Sequence, residues 1–357
     1  MSIITMHPLE KEMLSLIRAE GLVRPGETVV AGVSGGPDSM ALLQLLAAAA
    51  PALGIRLIAV YVNHQLRPAE VEAEGRLVAQ QAALLGASFA TGSIDVAGEA
   101  QKRRISVEHA ARELRYEYFD RVAEKFAAAK IAVAHTADDQ AEEVLLRLIR
   151  GTGRTGLAGM KMLRAGRIIR PLLTTAKERL LAYLADRQIP FLIDSSNLQR
   201  DYLRNRVRLD LIPFLRAFNP NISETLRQTA AVLRDEEMLL AALTDRAWQQ
   251  LVTLLPAADG GENLPLVAVD LAGFLELDRG LQRRLAEKVF ITLQSRPQFK
   301  KIEQILHVAA KGETGARLHF SQGLRLRKDR RQLLFGYPAG KTAARGDLDD
   351  GPQDQNS

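Results

Sequence analysis

Short runs of small and β-branched apolar residues alternate with longer stretches of helical periodicity through the first half of the chain. The runs fall at 27–33, 56–62, 88–94 and 131–134, each the length of one buried strand. Between them apolar residues recur every three or four positions, which predicts helices over 37–46, 69–85, 107–125 and 138–149, with another at 6–20 ahead of the first strand. Pro37 suits a first helical turn, Ser106 an N-cap and Gly86 a helix C-terminus. Strand and helix in strict alternation predict an α/β fold, a doubly wound parallel sheet with helices on both faces. Ligands of such sheets bind beyond the carboxyl ends of the strands. The segment 34–39, His64 and His135 each follow a predicted strand there.

The pattern changes after residue 150. Residues 151–156, GTGRTG, match G-x-G-x-x-G but follow a helix instead of a strand, so they are read as a loop offering backbone donors and not as a dinucleotide fingerprint. Thr174 or Thr175 is expected to cap a helix over 176–187. A polar turn at Asp194, Ser195, Ser196 and Asn197 leads into the arginine-rich stretch 200–216. Asn219-Pro220 is a break, and a domain boundary is placed beside it. One long amphipathic helix is predicted over 222–255, a polar loop over 257–263, helices over 280–295 and 298–311, and short strands over 317–320, 324–328 and 332–335. The expected division is an α/β catalytic domain over 1–217, a mainly helical domain ending in a β-hairpin over 218–337, and a disordered tail over 338–357.

Composition narrows the chemistry. The 357 residues include no cysteine, which excludes disulfides, Cys-ligated zinc, iron–sulfur clusters and thiol chemistry in this chain. A net charge of +6, from 48 basic and 42 acidic residues, permits a polyanionic partner without demanding one. No apolar run approaches a membrane span and the first residues do not form a signal peptide, so no membrane partner and a cytoplasmic location are expected.

The segment 34–39 reads Ser34, Gly35, Gly36, Pro37, Asp38, Ser39. A strand passing through two glycines into a helix N-terminus makes an anion site, because backbone N–H groups point outward and the helix dipole favours negative charge. It is not a Walker loop, having no Gly-Lys-Ser/Thr ending. On 107–125, Glu108, Arg112 and Arg115 share a face, either as a salt-bridge ladder or as a phosphate-directed surface. His135, Asp138, Asp139 and Glu142 surround a helix start, where acids serve the dipole or hold a cation. Arg204 and Arg208 share a face, solvated or aimed at phosphate. The cluster Arg325 to Arg331 is either an RNA contact or a charged sheet edge.

Taken together these residues resemble the tRNA(Ile)-lysidine synthase family within the PP-loop ATP pyrophosphatases, whose fold is Rossmann-like. The matching pieces are SGGPDS at 34–39, His64-x-Leu66-Arg67, Glu108 with Ala111-Arg112-x-x-Arg115-Tyr116, Ala134-His135-x-x-Asp138-Asp139, Arg150-Gly-Thr-Gly153 with Gly156-Leu157, Arg170-Pro-Leu-Leu173, and Asp194-x-Ser196-Asn197 with Arg204-Asn205-x-x-Arg208. Strong similarity covers residues 24–217. Glu143 stands where the family usually has Thr, and Val71 where it often has Ser. The chain also ends soon after the basic hairpin, which implies a reduced C-terminal region relative to the longest members.

The resemblance implies ATP and Mg²⁺ at the 34–39 loop, with Asp38 orienting the metal and His135 touching nucleotide. It implies adenylation of a wobble cytidine in a CAU-anticodon tRNA(Ile) and attack by free L-lysine. Arg112 or Arg115 would neutralise the α-phosphate or the adenylated base. Asp139, with Asp138, would hold or deprotonate the lysine amine, and Arg204 and Arg208 would contact tRNA. Oligomeric state stays open, a homodimer included. Three other classes share parts of the pattern. A tRNA thiolase conflicts with the absence of cysteine. An amidating ligase lacks its glutaminase domain here. A non-catalytic tRNA-binding protein leaves Asp38, Arg112 and Asp139 unexplained.

Overall fold

The computed structural model describes residues 6–65, 68–193, 203–256 and 264–338. Backbone contacts divide the chain into two units, Met1–Arg234 and Asp235–Ser357. In chain order the elements are α1 (Pro8–Ala19), β1 (Thr28–Gly32), α2 (Pro37–Leu53), β2 (Arg56–Asn63), α3 (Pro68–Leu84), β3 (Ser88–Ser93), α4 (Val96–Arg103), α5 (Val107–Lys125), β4 (Lys130–Ala132), α6 (Ala137–Arg150), α7 (Arg154–Leu157), β5 (Leu163–Arg164), β6 (Ile168–Ile169), α8 (Lys177–Asp186) and α9 (Leu203–Arg206). A π-helical turn, Val207–Leu211, joins α9 to α10 (Ile212–Arg216). Then follow α11 (Ile222–Leu251), β7 (Val252–Leu255), β8 (Leu266–Asp270), α12 (Leu271–Glu276), α13 (Arg279–Thr292), α14 (Phe299–Lys311), β9 (Arg317–His319), β10 (Arg325–Lys328) and β11 (Gln332–Gly336).

The first unit is a three-layer α/β sandwich. Its sheet has the order β3-β2-β1-β4-β6-β5, parallel except for β5, which runs antiparallel to β6. Side chains alternate across a strand, so each strand feeds two cores. Leu57, Ala59 and Tyr61 of β2 pack with α1, α2, α3 and α8 on one face. Ile58, Val60 and Val62 pack with α4 and α5 on the other. α2, buried along most of its length, is apolar nearly all round, as a helix pressed into a core requires. Gly32 ends β1 under the Phe119 ring of α5, and a Cβ there would lie 2.5 Å from Cζ. Only glycine lets the strand and helix approach so closely.

This order creates the crevice. From β1 the chain crosses through α2 to β2 on one side, while β4 lies on the other, so the connections diverge between the carboxyl ends of β1 and β4. A crevice opens where an open sheet reverses its order in this way.

Several expectations change. The parallel sheet gains the antiparallel β5, on a hairpin of two-residue strands too short to leave a periodic signal. α4 was not predicted; Asp95 caps it by accepting from Gly98 N at 2.9 Å. The predicted helix over 222–255 stops at Leu251, and Val252–Leu255 pairs as a strand with β8. α8 has no threonine cap: Ala176 is its N-cap residue.

In the second unit the three predicted strands belong to a five-stranded sheet, β7-β8-β11-β10-β9, antiparallel throughout its pairs. One face packs against α12, α13 and α14 through Val267, Val269, Phe274, Phe290 and Phe335. β10 lies inside this sheet, so the basic cluster at 325–331 is not an edge. Arg325 and Lys328 are buried, and Lys328 Nζ donates to the carbonyls of Ala309 and Gly312 at 2.7 and 2.8 Å. Arg327 pairs with Asp329, which leaves Arg330 and Arg331 as the exposed cations of the cluster. Leu66, Arg67, 194–202, 257–263 and 339–357, to which some sequence readings apply, lie outside the described residues. No helix among the described residues is long and apolar enough to cross a membrane.

Candidate active site

The loop after β1 is shaped by its own hydroxyls. Ser39 Oγ accepts from Ser34 N at 3.1 Å and donates to Gly36 O at 2.9 Å, closing the turn on itself. Gly35 takes φ +84°, a left-handed conformation that costs a side-chain-bearing residue about 1 kcal/mol or more. Leu192 N donates to Gly35 O at 2.9 Å and ties the segment after α8 to the loop. Intrahelical bonding in α2 begins at Met40, which donates to Gly36 O. The amides of Asp38 and Ser39 therefore precede it and are available to an anion.

Asp38 stands at the second position of α2. Its Oδ2 lies 3.3 Å from Lys177 Nζ. Its Oδ1 is buried and has no hydrogen-bond partner among the described residues. Burial pushes the carboxyl up from the ordinary aspartate range; Lys177 pulls it down, Asp139 pushes it up and Arg208 pulls it down. A lone carboxylate oxygen turned inward beside a phosphate cradle fits Mg²⁺, which binds through one or two carboxylates and completes its shell with phosphate oxygens and water. No cluster of three or more His, Asp or Glu side chains that would make an all-protein metal cage occurs among the described residues.

Across the crevice α6 starts with a reciprocal cap. Thr136 Oγ1 accepts from Asp139 N, and Asp139 Oδ2 accepts from Thr136 N at 2.8 Å. The other oxygen, Oδ1, accepts from Arg204 Nη2 at 2.8 Å and lies 3.4 Å from Arg208 Nη2. Glu142, 2% exposed, receives Arg204 Nε at 2.9 Å and both Nε and Nη2 of Arg208 at 2.5 and 3.1 Å. Two carboxylates and two guanidinia thus form a neutral quartet. Burial alone would raise Asp139, but Arg204, His135, the Thr136 N–H and Arg208 together hold it below the usual carboxylate range. Arg204 and Arg208 are held above theirs: burial opposes this and the two acids overcome it. The two arginines are therefore not a solvated face.

His135 ends the strand side of the same crevice. Arg170, 3% exposed, donates through Nε to His135 Nδ1 at 3.2 Å and through Nη1 to Lys161 O at 2.7 Å. An acceptor Nδ1 leaves the ring proton on Nε2. Burial, with Arg170, Arg204 and Arg115, drives the imidazole down to about 3 against the pull of Asp139. The ring is a neutral donor at physiological pH. An unfolded chain binds this proton near pH 6.5 and the folded one only near 3, so stability contributed by the neutral ring is full above 6.5 and is lost as pH falls toward 3. His135→Gln is expected to flatten that acid limb in thermal melts between pH 6.5 and 4; an unchanged limb would refute it.

The remaining expectations fall into place unevenly. Arg115 is half-buried, its guanidinium 5.9 Å from the Tyr116 ring centroid, and burial lowers it, with Arg112 and Arg204 adding repulsion. Arg112 is exposed, as is Glu108. Asp138 Oδ2 accepts the backbone N–H of Lys177 at 2.8 Å and so supplies the cap that α8 lacks. Glu143, the departure from the family pattern, pairs with Arg147 at 2.7 Å, and Arg147 also donates to the carbonyls of Gly156 and Gly159. The 151–156 segment, expected as a loop of backbone donors, is helical from Arg154 and presents one acceptor, the Gly156 carbonyl, to Arg147. Sequence reasoning missed Lys177 and the burial of Glu142, and it named Arg170 within a matching motif without giving it a role.

Comparison with known proteins fits this arrangement. A family model described as the PP-loop domain matches residues 6–215. The chain is 34% identical over 339 residues to the tRNA(Ile)-lysidine synthase of Geobacter sulfurreducens, covering 93% of this chain and 70% of that one. It is 33% identical over 334 residues to the Bacillus subtilis tRNA(Ile)-lysidine synthase, covering 92% and 69%. Among solved structures, the U34-tRNA thiolase NcsA from Methanococcus maripaludis, described with its [4Fe-4S] cluster, superposes with a TM-score of 0.50 at 17% identity over 63% of this chain and 78% of that one, a likeness of fold.

Proposed function

Because this chain belongs to the tRNA(Ile)-lysidine synthase family of PP-loop enzymes, we propose that it ligates free L-lysine to C2 of the wobble cytidine in a CAU-anticodon tRNA(Ile), converting ATP to AMP and pyrophosphate. The observation that supports this most directly is the single crevice. The anion loop at the end of β1 and the start of α6 at the end of β4 meet through Lys177, whose Nζ lies 3.3 Å from Asp38 Oδ2 and whose N–H donates to Asp138 Oδ2 at 2.8 Å.

In this reading the reaction has two displacements. The C2 carbonyl oxygen of the cytidine attacks the α-phosphorus of ATP, the bond to the bridging oxygen breaks, and pyrophosphate leaves. The lysine ε-ammonium gives up one proton to water, the free amine attacks C2 of the adenylated base, AMP departs, and the new C–N bond loses a second proton. The product base pairs with A in place of G, moving the tRNA from AUG to AUA codons.

The residues divide the work by their surroundings. Ser34, Gly35, Gly36, Pro37 and Ser39 shape the cradle for ATP phosphates. Asp38 would hold Mg²⁺, which supplies charge neutralisation to the departing pyrophosphate. Arg112 or Arg115 would neutralise the developing negative charge on the α-phosphate or the adenylated base; burial would strengthen such a contact at Arg115, whereas Arg112 is exposed. His135, fixed by Arg170 as an Nε2–H donor, contacts nucleotide. Asp139 stays anionic and anchors the incoming ammonium, its depressed pKa making it a poor holder of the amine's proton. Asp138 assists by fixing α8. Arg204 and Arg208 orient Asp139, and reach substrate from the quartet. ATP chemistry belongs to residues 1–217 and further tRNA contacts to 218–337, in a cytoplasmic enzyme.

The test is incubation with ATP, Mg²⁺, radiolabelled lysine and a CAU-anticodon tRNA(Ile) transcript. Label that stays in the tRNA through mild base is expected, since a base-linked lysine survives where a terminal ester hydrolyses. Pyrophosphate release without label would overturn the nucleophile. Neither product from folded protein would overturn the ligase.

A further inference from the structure

The helical stretch that supplies the quartet arginines has a second face. Arg204 and Arg208 reach the acids of α6. Leu203 and Val207 each precede one of them and so lie about 100° round the axis. Val207 and Ile212 close a small apolar core with Leu145 and Leu146 of α6. Beyond that core the packing stops. Ile149 at the end of α6, with Val207, Leu211 and Phe214 opposite, walls an open cavity of about 440 Å³. Arg206 and Asp210, both exposed, complete its lining. The volume falls in the range of small-ligand pockets, about 300–1,000 Å³.

Three features mark this cavity as a receptor. Phe214 and Phe218 are 61% and 76% exposed, with their rings edge to face at 5.2 Å, and Leu148 and Ile149 are each more than half exposed. Single exposed apolar residues are ordinary, whereas a group of them marks a contact surface. Val207, Asp210 and Leu211 stand in the π-helical turn, a departure from regular helix that concentrates at functional sites. The border is cationic. Residues 203–218 carry four arginines and one acid, and the two arginines outside the quartet, Arg206 and Arg216, are exposed, as is Arg150 beside Ile149. An apolar protein helix would match the rings and gain nothing from that border. An aromatic ring carried on a polyanion uses both, since single-stranded RNA is held by stacking on aromatic side chains and by cations along its phosphates.

We infer that this cavity takes one unpaired base from the RNA loop that carries the wobble cytidine, a near neighbour of the reacting base, stacked on Phe214 with Arg206 at its phosphate. Arg204 of the quartet and Phe214 are ten residues apart, about 15 Å along a helix axis, a span that a few nucleotides of extended single strand cross. Holding a neighbouring base out of the stack leaves the cytidine unstacked and free to enter the crevice. The inference rests on the tRNA reading proposed above and adds to it a second base site, which does no chemistry.

Fluorescence anisotropy of the full chain with labelled CAU-anticodon stem-loop RNAs tests it, using one intact RNA and a set with a single abasic nucleotide at each unpaired position other than the wobble base. Phe214→Ala is expected to weaken binding of the intact RNA about 5- to 100-fold, the scale of one lost base stack. The ring is mostly exposed, so the variant is expected to melt as the unaltered protein does. One abasic position is expected to cost the unaltered protein a similar factor and to cost Phe214→Ala no more than about twofold, because both changes remove the same contact. Phe214→Trp, which keeps a stacking face, is expected to bind nearly as well as the unaltered protein. Affinity unchanged within about twofold in Phe214→Ala, or abasic losses that all add in full to it, would overturn the base site alone. Sedimentation in which Phe214→Ala abolishes self-association while leaving RNA affinity intact would overturn it in favour of a second copy of the chain. Failure of the unaltered protein to bind the intact RNA would overturn the tRNA reading and this inference with it.

Discussion

Asp38→Ala is expected to lower lysine transfer to tRNA by about 100- to 1,000-fold, the scale seen when one preorganised charge-stabilising group is removed, while leaving the protein at least as stable as before. The two halves of this expectation have one cause. Asp38 carries a buried oxygen without a partner and a carboxyl pushed up by burial. A buried unsatisfied polar group costs about 1–3 kcal/mol. Alanine removes that cost and strands only Lys177, whose side chain can reach water. Strain of this kind at a site is kept for function and released by its loss. Asp38→Asn separates charge from shape, since it fills the same space without the charge Mg²⁺ needs, and it is expected to be as inactive as alanine. The measurements are labelled-lysine incorporation at saturating ATP and Mg²⁺, and thermal melting of each variant. An activity loss below about tenfold would refute the role of Asp38, and so would a loss accompanied by a drop in melting temperature large enough to explain it.

How much of this was legible in the sequence depends on how local each feature is. The 34–39 loop could be read because its donors, its glycines and the helix that follows are contiguous. The parallel sheet could be read because β1 and β2 are full-length apolar strands, whereas β5 and β6 hold two residues each and leave no period. Arg204 and Arg208 were recognisable as a pair on one face, but their partners lie more than sixty positions away in α6. Lys177 and Arg170 act across still wider or turn-rich intervals, and no spacing rule joins them to Asp38 and His135. Two signals were nevertheless present. Lys177 opposes the dipole of its own helix. Glu142 stands three and four positions before Leu145 and Leu146, on the stripe that packs against Val207 and Ile212, and an acid on an apolar stripe implies a buried cation partner.

That partner set makes Glu142 the position where substitution should cost the fold most. Glu142→Ala removes the acceptor of three hydrogen bonds and leaves Asp139 as the acid that Arg204 and Arg208 share among the described residues. Breaking a buried pair from one side costs about 3–5 kcal/mol, because the stranded charge has lost both water and partner. For a unit of this size each kcal/mol shifts the melting temperature by about 2–4 °C, so a drop of roughly 10 °C is expected. Arg204 and Arg208 are only 23% and 31% exposed at the side chain, too enclosed to regain full hydration. The double variant Glu142→Ala, Arg208→Ala should recover part of the loss by removing one of the stranded charges, which simple cavity formation would not do. The same substitution should raise the KM for lysine more than it lowers kcat. Both guanidinia would then compete for Asp139, the group proposed to anchor the incoming ammonium, and weaken binding before the chemical step. A drop below about 1 kcal/mol would mean that the arginines find solvent, and the quartet would then be a surface network instead of the buried frame of the lysine site.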